Sequence, residues 1–560
     1  MNNTEPSSRN NFWKTFVLVA LIIAVGVFLR LWNLGGESLR LDEAQSVWQA
    51  SHSASFIATY MLKNVHLPLH NTVLHFWMYF FGSGEVSVRA LSLIPGVLAL
   101  FALFFLAKEL FEEKIALLAT AIGALSPFWV WYSREIRMYT LLILVTTLSY
   151  YFLLRILKTD RFLSYAGYVA VNLIGMYTHY FFFLVLLSQI VFFFTTWKSN
   201  FSVNVPEKKK IFIKLILVAV ILAAAFFPWA YELLNSYGSG SLAPVLERPT
   251  TFNIALSFFE FTFGFQSDAI TSTIIALWPA VILLGFVFLS KRKYSGKGMI
   301  LVCAGILLPI IIVFGVSVLL KPMYLTRYLS IVSPLYYILL AWTLGELRGF
   351  GKKAFAFILF LGIAVSLVNQ YVSAENPAKE DYREAARYIS ETVTPRDVVA
   401  LAPPYVVYPF QYYYRGMAQV TSMPIWDKRK GAIPLATRER IEADAEIVKG
   451  HHKRIFLFMA DNLEGATEVK DYFDSNLRKL EKRQFSRTLW LHVYQAEYLE
   501  EKYEVYYEVV RGDNLSSIAK RFYKNAKKYD VIVEANNIIN PHRIEIGDKL
   551  LIPALIPDVE

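Results

Sequence analysis

The segment VLVALIIAVGVFLRLWNLGGESLRLDEAQ, residues 17–45, runs from a long apolar stretch directly into two adjacent carboxylates, Asp42 and Glu43. An apolar stretch of about 20 residues is long enough to cross a bilayer as a helix. Because the segment lacks a clear small-residue cleavage site, we expect it to remain as a membrane anchor and not to be removed as a signal peptide. The two carboxylates would then lie where this helix enters water, either simply solvated or available for chemistry at the membrane surface.

The composition is typical of a membrane protein. Of the 560 residues, 55% are hydrophobic and only 18% are charged, whereas soluble domains are about 25% charged. The net charge of +11 could indicate a nucleic-acid partner, but the basic residues gather in short loops between apolar stretches, so we expect no nucleic acid. The single cysteine, Cys303, excludes a disulfide framework within the chain.

The apolar stretches predict a polytopic α-helical membrane protein with about 11 spans in residues 1–373. The basic loops alternate along the chain, which predicts a cytoplasmic N-terminus and extracytoplasmic C-terminal domains in the cytoplasmic (inner) membrane. The predicted spans lie near residues 12–32, 86–107, 115–133, 139–157, 162–178, 180–197, 211–231, 272–290, 298–320, 328–346 and 352–372.

After residue 373 the composition becomes that of a soluble protein. The segments DVVALA, RIFLFMA and TLWLHVYQAE are predicted strands, and DYREAARYISETV and EVKDYFDSNLRKLEKRQ are predicted helices. Strands that alternate with helices indicate a small extracytoplasmic α/β domain at residues 374–498. A charged segment at residues 499–506 is predicted to link this domain to a third unit.

The third unit, residues 507–553, closely resembles a LysM domain. Three spaced motifs carry the resemblance: V-x-x-G-D-N-L-S-S-I-A, I-x-x-A-N-N-I and I-x-x-G-D-K-L-L-I-P. The resemblance implies a βααβ fold that binds N-acetylglucosamine-containing glycans such as peptidoglycan, and so tethers the protein to the cell wall. The alternative is a rigid spacer without useful affinity. By motif position, the residues that would line the glycan groove are Gly512, Asp513, Asn514, Leu515, Ile539, Asn540 and Pro541.

The membrane part resembles the glycosyltransferases of the C fold, in the group of the protein mannosyltransferases and aminoarabinose transferases. The resemblance extends from residue 1 to about residue 370, and its motifs occur in the order of that family. They are R-L-D-E-A, H-x-P-L, G-E-V-S-V-R-A-L-S-L-I-P-G, Y-S-R-E-I-R-M-Y, Y-T-H-Y and Y-L-T-R-Y-L-S-I-V-S-P.

This resemblance implies transfer of a sugar from a polyprenyl-phosphate carrier to an acceptor hydroxyl at the non-cytoplasmic face. The leaving phosphate needs positive charge and not a proton, and the acceptor hydroxyl needs a base. By motif position Asp42 is that base in an inverting displacement, while Glu43 either orients its neighbours or is only solvated. The candidate ligands of the donor phosphate and sugar are Arg327, Tyr328, Arg137, Lys63 and Tyr139, with Glu135 as a further supporting carboxylate.

A divalent metal ion could share the charge of the phosphate. His66, His179 and Glu135 are suitable ligand types, and His66 occupies the place where some relatives carry a metal-binding carboxylate. However, Pro68 separates His66 from His70, so their spacing does not specify a metal site. The same two histidines could instead hydrogen-bond to the substrate or to nearby carbonyl groups.

Two other functions remain open at this point. A transporter or flippase of lipid-linked glycan would also hold buried charges, but such proteins tend to have internal repeats, and the sequence has no clear repeat. A non-catalytic, wall-binding membrane scaffold would not need the ordered polar motifs. The LysM resemblance indicates a bacterial cell envelope, where undecaprenyl phosphate is the expected carrier. The expected acceptor is an envelope glycan, lipid or protein.

Overall fold

We describe the computed structural model of the chain for residues 6–64, 66–197, 205–236, 246–265, 278, 282, 296–372, 379–429, 433–450, 452–496, 505–538 and 540–553. These residues form two compact units. The helical unit contains the described residues of Met1–Leu34, Met61–Ser239 and Ala243–Pro377. The mixed unit contains those of Gly35–Tyr60 and Ala378–Glu560.

The first two-thirds of the chain is helical. A short 3-10 helix, Tyr328–Val332, also lies in this part of the chain. The helices are α1 Pro6–Leu31, α2 Leu41–Ala50, α3 Ala54–Lys63, α4 Leu69–Phe81, α5 Glu85–Leu110, α6 Glu113–Leu125, α7 Pro127–Ser133, α8 Tyr139–Thr159, α9 Phe162–Thr178, α10 Phe182–Thr196, α11 Val205–Ser236, α12 Thr251–Phe263, α13 Lys297–Leu319, α14 Ser333–Glu346 and α15 Gly349–Val372.

The chain is a multispanning membrane protein. Among the described residues, 7 helices are long and apolar enough to cross a membrane, or 8 if the bent pair α6 and α7 forms one span. Helices α9 and α10 occupy two further predicted positions, but they have only 17 and 15 residues. The predicted span at residues 272–290 lies outside the described residues.

The bend between α6 and α7 is 58°, and its cause is local. Pro127 has no N–H, so the carbonyl of Gly123 loses its helical donor. The fully buried Arg30, near the end of α1, replaces that donor: its guanidinium donates to the carbonyls of Gly123 and Ala124 at 3.1 Å each. The same guanidinium donates to the Ser133 hydroxyl at 3.1 Å. Arg30 therefore joins α1 to both sides of the bend. Its contact with Ser133 reaches the start of the Y-S-R-E-I-R-M-Y motif.

Replacing Arg30 with methionine should strongly destabilise this unit. The carbonyls of Gly123 and Ala124 would stay buried without this donor, at a cost of about 2–4 kcal/mol for the two together. Thermal unfolding of the purified protein measures the effect, and Arg161→Met, at an exposed arginine of the same unit, is the matched control. Equal unfolding temperatures for the two variants would contradict this account of the bend.

The mixed unit contains a five-stranded sheet with the strand order β2-β1-β3-β5-β4, in which β1, β2 and β3 are parallel and β5 is antiparallel to both β3 and β4. Buried apolar side chains of β1 and β3 pack against helices on the sheet. Its elements are α16 Tyr382–Thr392, β1 Asp397–Ala402, α17 Val407–Tyr413, β2 Gln419–Ser422, α18 Arg438–Lys449, β3 Arg454–Ala460, α19 Ala466–Asn476, β4 Arg478–Gln484 and β5 Leu489–Gln495.

The prediction of one helix over EVKDYFDSNLRKLEKRQ is wrong in its second half. Helix α19 ends at Asn476, and Arg478–Gln484 is the edge strand β4. Lys, Arg and Glu favour helices by local propensity, but pairing with β5 overrides that preference. A strand edge rich in positive charge is also a common protection against unwanted strand pairing.

The LysM segment has the predicted βααβ order. Strands β6 and β7 are antiparallel, and their apolar side chains form a small core with Leu515, Ile518 and Ile532. The elements are β6 Val505–Glu508, α20 Leu515–Tyr523, α21 Tyr529–Ala535 and β7 Lys549–Ile552.

Candidate functional site

In the helical unit, the structure brings together four of the five predicted donor ligands. Tyr139 begins α8, which follows α7 in the chain, and its ring is fully buried. Arg137, Arg327 and Tyr328 all lie close enough to the Tyr139 phenol to interact with it electrostatically. The Arg327 guanidinium also lies over the Tyr328 ring, 5.7 Å from its centroid. We call Glu135, Arg137, Tyr139, Arg327 and Tyr328 the basic-aromatic cluster.

Glu135 belongs to this cluster because its carboxylate also interacts electrostatically with Tyr139. Its side chain is 7% exposed. The neighbouring Arg134 donates to the carbonyl of Asn33 at 2.9 Å and lies over the ring of Tyr371. Arg134 thus connects the motif to the end of α1 and to α15, while Arg137 remains with the cluster. Two arginines only three positions apart have different surroundings, which the sequence alone does not reveal.

The two predicted metal ligands lie near the cluster but do not form a ligand set. His179 follows α9, and its ring lies 5.2 Å from that of Tyr328. The His179 Nδ1 atom accepts a hydrogen bond from the Phe181 N–H at 3.1 Å, so this nitrogen is already used. His66 is exposed and interacts electrostatically with His179. In the part of the chain that the structure describes, no three His, Cys, Asp or Glu side chains are grouped to hold a metal.

Lys63 stands apart from the other predicted donor ligands. It is the last residue of α3 and its side chain is exposed. Among the described residues, no hydrogen bond, ion pair or ring contact joins Lys63 to the basic-aromatic cluster.

Glu260 belongs to none of the sequence motifs, yet it interacts electrostatically with Arg327 and hydrogen-bonds to Thr326. It lies in α12, within the segment TFNIALSFFEFTF, and its charge also acts on Tyr132. Tyr132 in turn packs against Tyr139, with 4.8 Å between the ring centroids. A lone carboxylate in an otherwise apolar helix is the signal that could have identified it.

In the mixed unit, the two adjacent carboxylates occupy the first turn of α2 and have different environments. Asp42 is half-buried, whereas Glu43 is only 1% exposed. The Glu43 carboxylate accepts the backbone N–H of Arg40 at 3.0 Å, which is the hydrogen bond expected of an acidic side chain at the third position of a helix. Glu43 therefore stabilises the start of the helix that carries Asp42, and simple solvation does not describe it.

Truncation of Glu43 should act on stability. Glu43→Ala removes the acceptor for the Arg40 N–H and should lower the free energy of unfolding by about 1–2 kcal/mol. Glu43→Gln keeps an acceptor oxygen and should lower the free energy of unfolding clearly less. Thermal unfolding of both variants measures this difference, and an Ala variant as stable as wild type would rule out the capping role.

The loop before α2 is fastened to the α/β fold by hydrogen bonds. The Leu39 N–H donates to the Tyr413 hydroxyl at 2.6 Å, and the Ser38 hydroxyl donates to the carbonyl of Glu380. The Arg383 guanidinium donates to the carbonyl of Gly35 at 3.1 Å. Helix α2 itself packs on α17. Asp42 is therefore positioned by the soluble part of the protein as well as by its own helix.

The LysM residues divide into structural and exposed groups. The Asp513 carboxylate accepts from the Tyr507 hydroxyl at 2.6 Å and from the Val510 N–H at 3.0 Å, and Leu515 is buried in the core. Asn514 caps α20 by accepting the Ser517 N–H at 2.8 Å. The side chains of Asn514 and Asn540 are exposed, as is Gly512, whose φ of +89° favours glycine. Pro541 is half-buried, and Ile539 lies outside the described residues.

Comparison with known proteins agrees with this architecture. Residues 65–229 match the family model of dolichyl-phosphate-mannose-protein mannosyltransferases, and residues 507–553 match the LysM model. No curated protein sequence matches the chain.

Two solved structures of one bacterial protein are similar to this chain. The crystal structure of ArnT from Cupriavidus metallidurans in the apo state matches over 85% of this chain and 97% of that chain, with 12% identity and a TM-score of 0.55. The crystal structure of the same protein bound to undecaprenyl phosphate matches over the same shares, with 12% identity and a TM-score of 0.54. At this level of identity the similarity establishes the fold, and it confirms the predicted glycosyltransferase C fold.

The fold, the mannosyltransferase-family match and the LysM match agree with one another. The chain is a multispanning membrane protein with the C fold of glycosyltransferases, in which residues 65–229 match the mannosyltransferase family model and residues 507–553 form a LysM domain.

Proposed function

We propose that the protein transfers a sugar from a polyprenyl-phosphate donor, with undecaprenyl phosphate as the carrier, to an acceptor hydroxyl at the outer face of the cytoplasmic membrane. The observation that carries this proposal is the basic-aromatic cluster within a C-fold helical unit. Half-buried arginines beside tyrosine rings suit a phosphate joined to a sugar, because the guanidinium binds phosphate oxygens and the ring packs on the sugar. The similar ArnT structure with bound undecaprenyl phosphate supports the same class of donor.

On the donor side, Arg327 receives the negative charge that develops on the leaving phosphate. Its guanidinium interacts electrostatically with the Glu260 carboxylate and with the Tyr132 phenol. The carboxylates of Glu260 and Glu135 both act on that same phenol. Such fixed charges cost no reorganisation when the bond breaks, which is why they lower the barrier more than mobile water does. Arg137, Tyr139 and Tyr328 complete the site for the phosphate and sugar.

On the acceptor side, Asp42 takes the proton from the attacking hydroxyl. The hydroxyl oxygen attacks the anomeric carbon from the face opposite the phosphate, and the bond from that carbon to the phosphate oxygen breaks. The product is a new glycosidic bond of inverted configuration, together with free carrier phosphate. Because Asp42 lies in the first turn of α2, the helix dipole favours its ionised form. The ionised carboxylate is the form that can accept the proton of the hydroxyl.

The LysM domain is proposed to bind peptidoglycan through the exposed loops that contain Asn514 and Asn540. This would hold the enzyme beside the wall, in a bacterial envelope. The acceptor is then an envelope glycan, lipid or protein that is reached from the same side of the membrane. A divalent ion is not required by this scheme, because arginine side chains supply the positive charge.

Reconstitution in liposomes tests transfer against transport. The purified protein is supplied with a synthetic undecaprenyl-phosphate sugar on one side, and two products are followed: free carrier phosphate and intact lipid moved to the other leaflet. The proposal predicts acceptor-dependent release of carrier phosphate. Movement of intact lipid without cleavage would identify a flippase instead. If neither product formed, the remaining function would be that of a wall-binding scaffold.

A further inference from the structure

The LysM domain packs directly on the α/β fold. Strand β6 lies beside β2, and the Lys428 ammonium forms an ion pair with the Glu508 carboxylate at 3.1 Å. The guanidinium of the next residue, Arg429, donates to the carbonyl of Ile546. The predicted linker at residues 499–506 lies mostly outside the described residues. The LysM domain and the α/β fold both belong to the mixed unit.

Lys428 contacts four parts of the mixed unit at once, three through its side chain and one through its backbone carbonyl. Its side chain is 7% exposed and donates to the Gln411 side-chain oxygen on α17, in addition to its ion pair with Glu508. Its ammonium also lies over the Trp48 ring on α2, 5.2 Å from the centroid. The backbone carbonyl of Lys428 accepts from the Tyr60 hydroxyl on α3 at 3.5 Å.

These contacts depend on one another because the ammonium is buried. Burial lowers the pKa of Lys428, and the carboxylate of Glu508 opposes that shift. An ammonium has three donors and no acceptor, and Glu508 is available as one of its partners only when LysM is docked. Loss of one member of a buried ion pair leaves an uncompensated charge, which is strongly destabilising. Release of LysM would therefore also disturb the contact of Lys428 with Trp48.

Trp48 belongs to the same helix as the proposed base. It is six residues after Asp42, or about 9 Å along α2 at 1.5 Å per residue. The ring of Trp48 also packs against Tyr408 of the α/β fold, with 5.3 Å between the centroids. A change at Trp48 would therefore alter the packing that holds α2 in place.

We propose that Lys428 is a positioning residue that couples the docked LysM domain to helix α2, and through it to Asp42. LysM is then part of the structure that holds the catalytic helix as well as a wall-binding domain. The exposed Asn514 and Asn540 remain accessible in the docked arrangement, so glycan binding and docking are compatible. The link to catalysis rests on the proposed function, whereas the link between LysM and α2 does not.

The test compares Glu508→Gln, Lys428→Met and their double variant in the full-length protein in liposomes. Arg438→Met is the matched control, because Arg438 forms an exposed ion pair in the same unit. Hydrogen exchange of the α2 amides, residues 41–50, reports on the helix. Steady-state kinetics with the undecaprenyl-phosphate sugar report separately on kcat and on KM for the donor.

Glu508→Gln should raise exchange in α2 by about 10-fold or more, because it removes the charged partner of a buried ammonium. It should also lower kcat while KM for the donor stays near that of wild type. The double variant should recover part of both losses, since no charge is left buried. If the α2 amides of Glu508→Gln exchanged at the wild-type rate, the proposal would be overturned, even if the protein were less stable overall.

The two proposals can fail separately. If Glu508→Gln loosens α2 but the wild-type protein releases no carrier phosphate, the coupling stands and the proposed reaction is wrong. If wild-type turnover is confirmed and Glu508→Gln changes neither α2 exchange nor kcat, the coupling is wrong and the reaction stands. Should Lys428→Met fail to fold, Glu508→Gln alone still decides, because Glu508 is partly exposed and its amide replacement is nearly isosteric.

Discussion

Asp42→Asn is expected to lower the turnover number by about 10²–10⁴-fold, the usual contribution of a positioned general base. Asparagine has nearly the same shape and polarity as aspartate, but it cannot accept the proton of the acceptor hydroxyl. The proposed donor ligands lie outside α2, so affinity for the undecaprenyl-phosphate sugar should change little. Steady-state release of carrier phosphate, combined with a direct binding measurement, separates the two effects.

Asp471→Asn is a suitable control for this prediction. It makes the same chemical change at an exposed aspartate of α19 that pairs with Lys470. Its turnover should equal that of wild type. Full turnover in Asp42→Asn would remove Asp42 from the reaction, and a matching loss of donor binding would assign it to the donor site instead.

Arg327→Gln is expected to produce the second large effect, a fall of about 10²–10³-fold in kcat, because it removes a fixed positive charge from the leaving phosphate. Arg327→Lys keeps the charge but loses the planar, two-pronged geometry of the guanidinium, and should have an intermediate rate. A donor with a poorer leaving group should be affected more than one with a better leaving group. Measuring kcat of wild type and Arg327→Gln with two donors whose carrier phosphates differ in acidity tests this difference.

Arg348→Gln is the matched control, because Arg348 is an exposed arginine of the same unit. Its kinetics should be those of wild type. If Arg327→Gln raised only KM for the donor and left kcat unchanged, Arg327 would bind the donor equally in the ground state and the transition state. That result would contradict its assignment to the leaving group.

Local sequence patterns predicted the individual elements well. Continuous apolar runs such as DVVALA and RIFLFMA are strands with the predicted ends, because buried parallel strands need apolar side chains on both faces. The spaced LysM motifs likewise predicted the βααβ order. The exception, Arg478–Gln484, has a helix-favouring composition, and only its pairing with β5 makes it a strand.

Tertiary relationships between distant residues could not be predicted in the same way. The sequence places Glu43 beside Asp42, but only the structure shows that Glu43 accepts the Arg40 N–H. Nothing near Lys428 in the sequence indicates its contacts with Trp48 and Glu508, because both residues are far from it along the chain. Burial and pairing of charges are properties of the assembled fold, so residue type and spacing do not determine them.

The most direct test of the central claim is a product analysis of one reaction. The purified protein is given an undecaprenyl-phosphate sugar of known anomeric configuration and an acceptor, and both products are quantified, with the new glycosidic bond assigned by NMR. The account predicts one free undecaprenyl phosphate for each sugar transferred and a glycosidic bond of inverted configuration. A product of retained configuration, or transfer without release of the carrier phosphate, would contradict it.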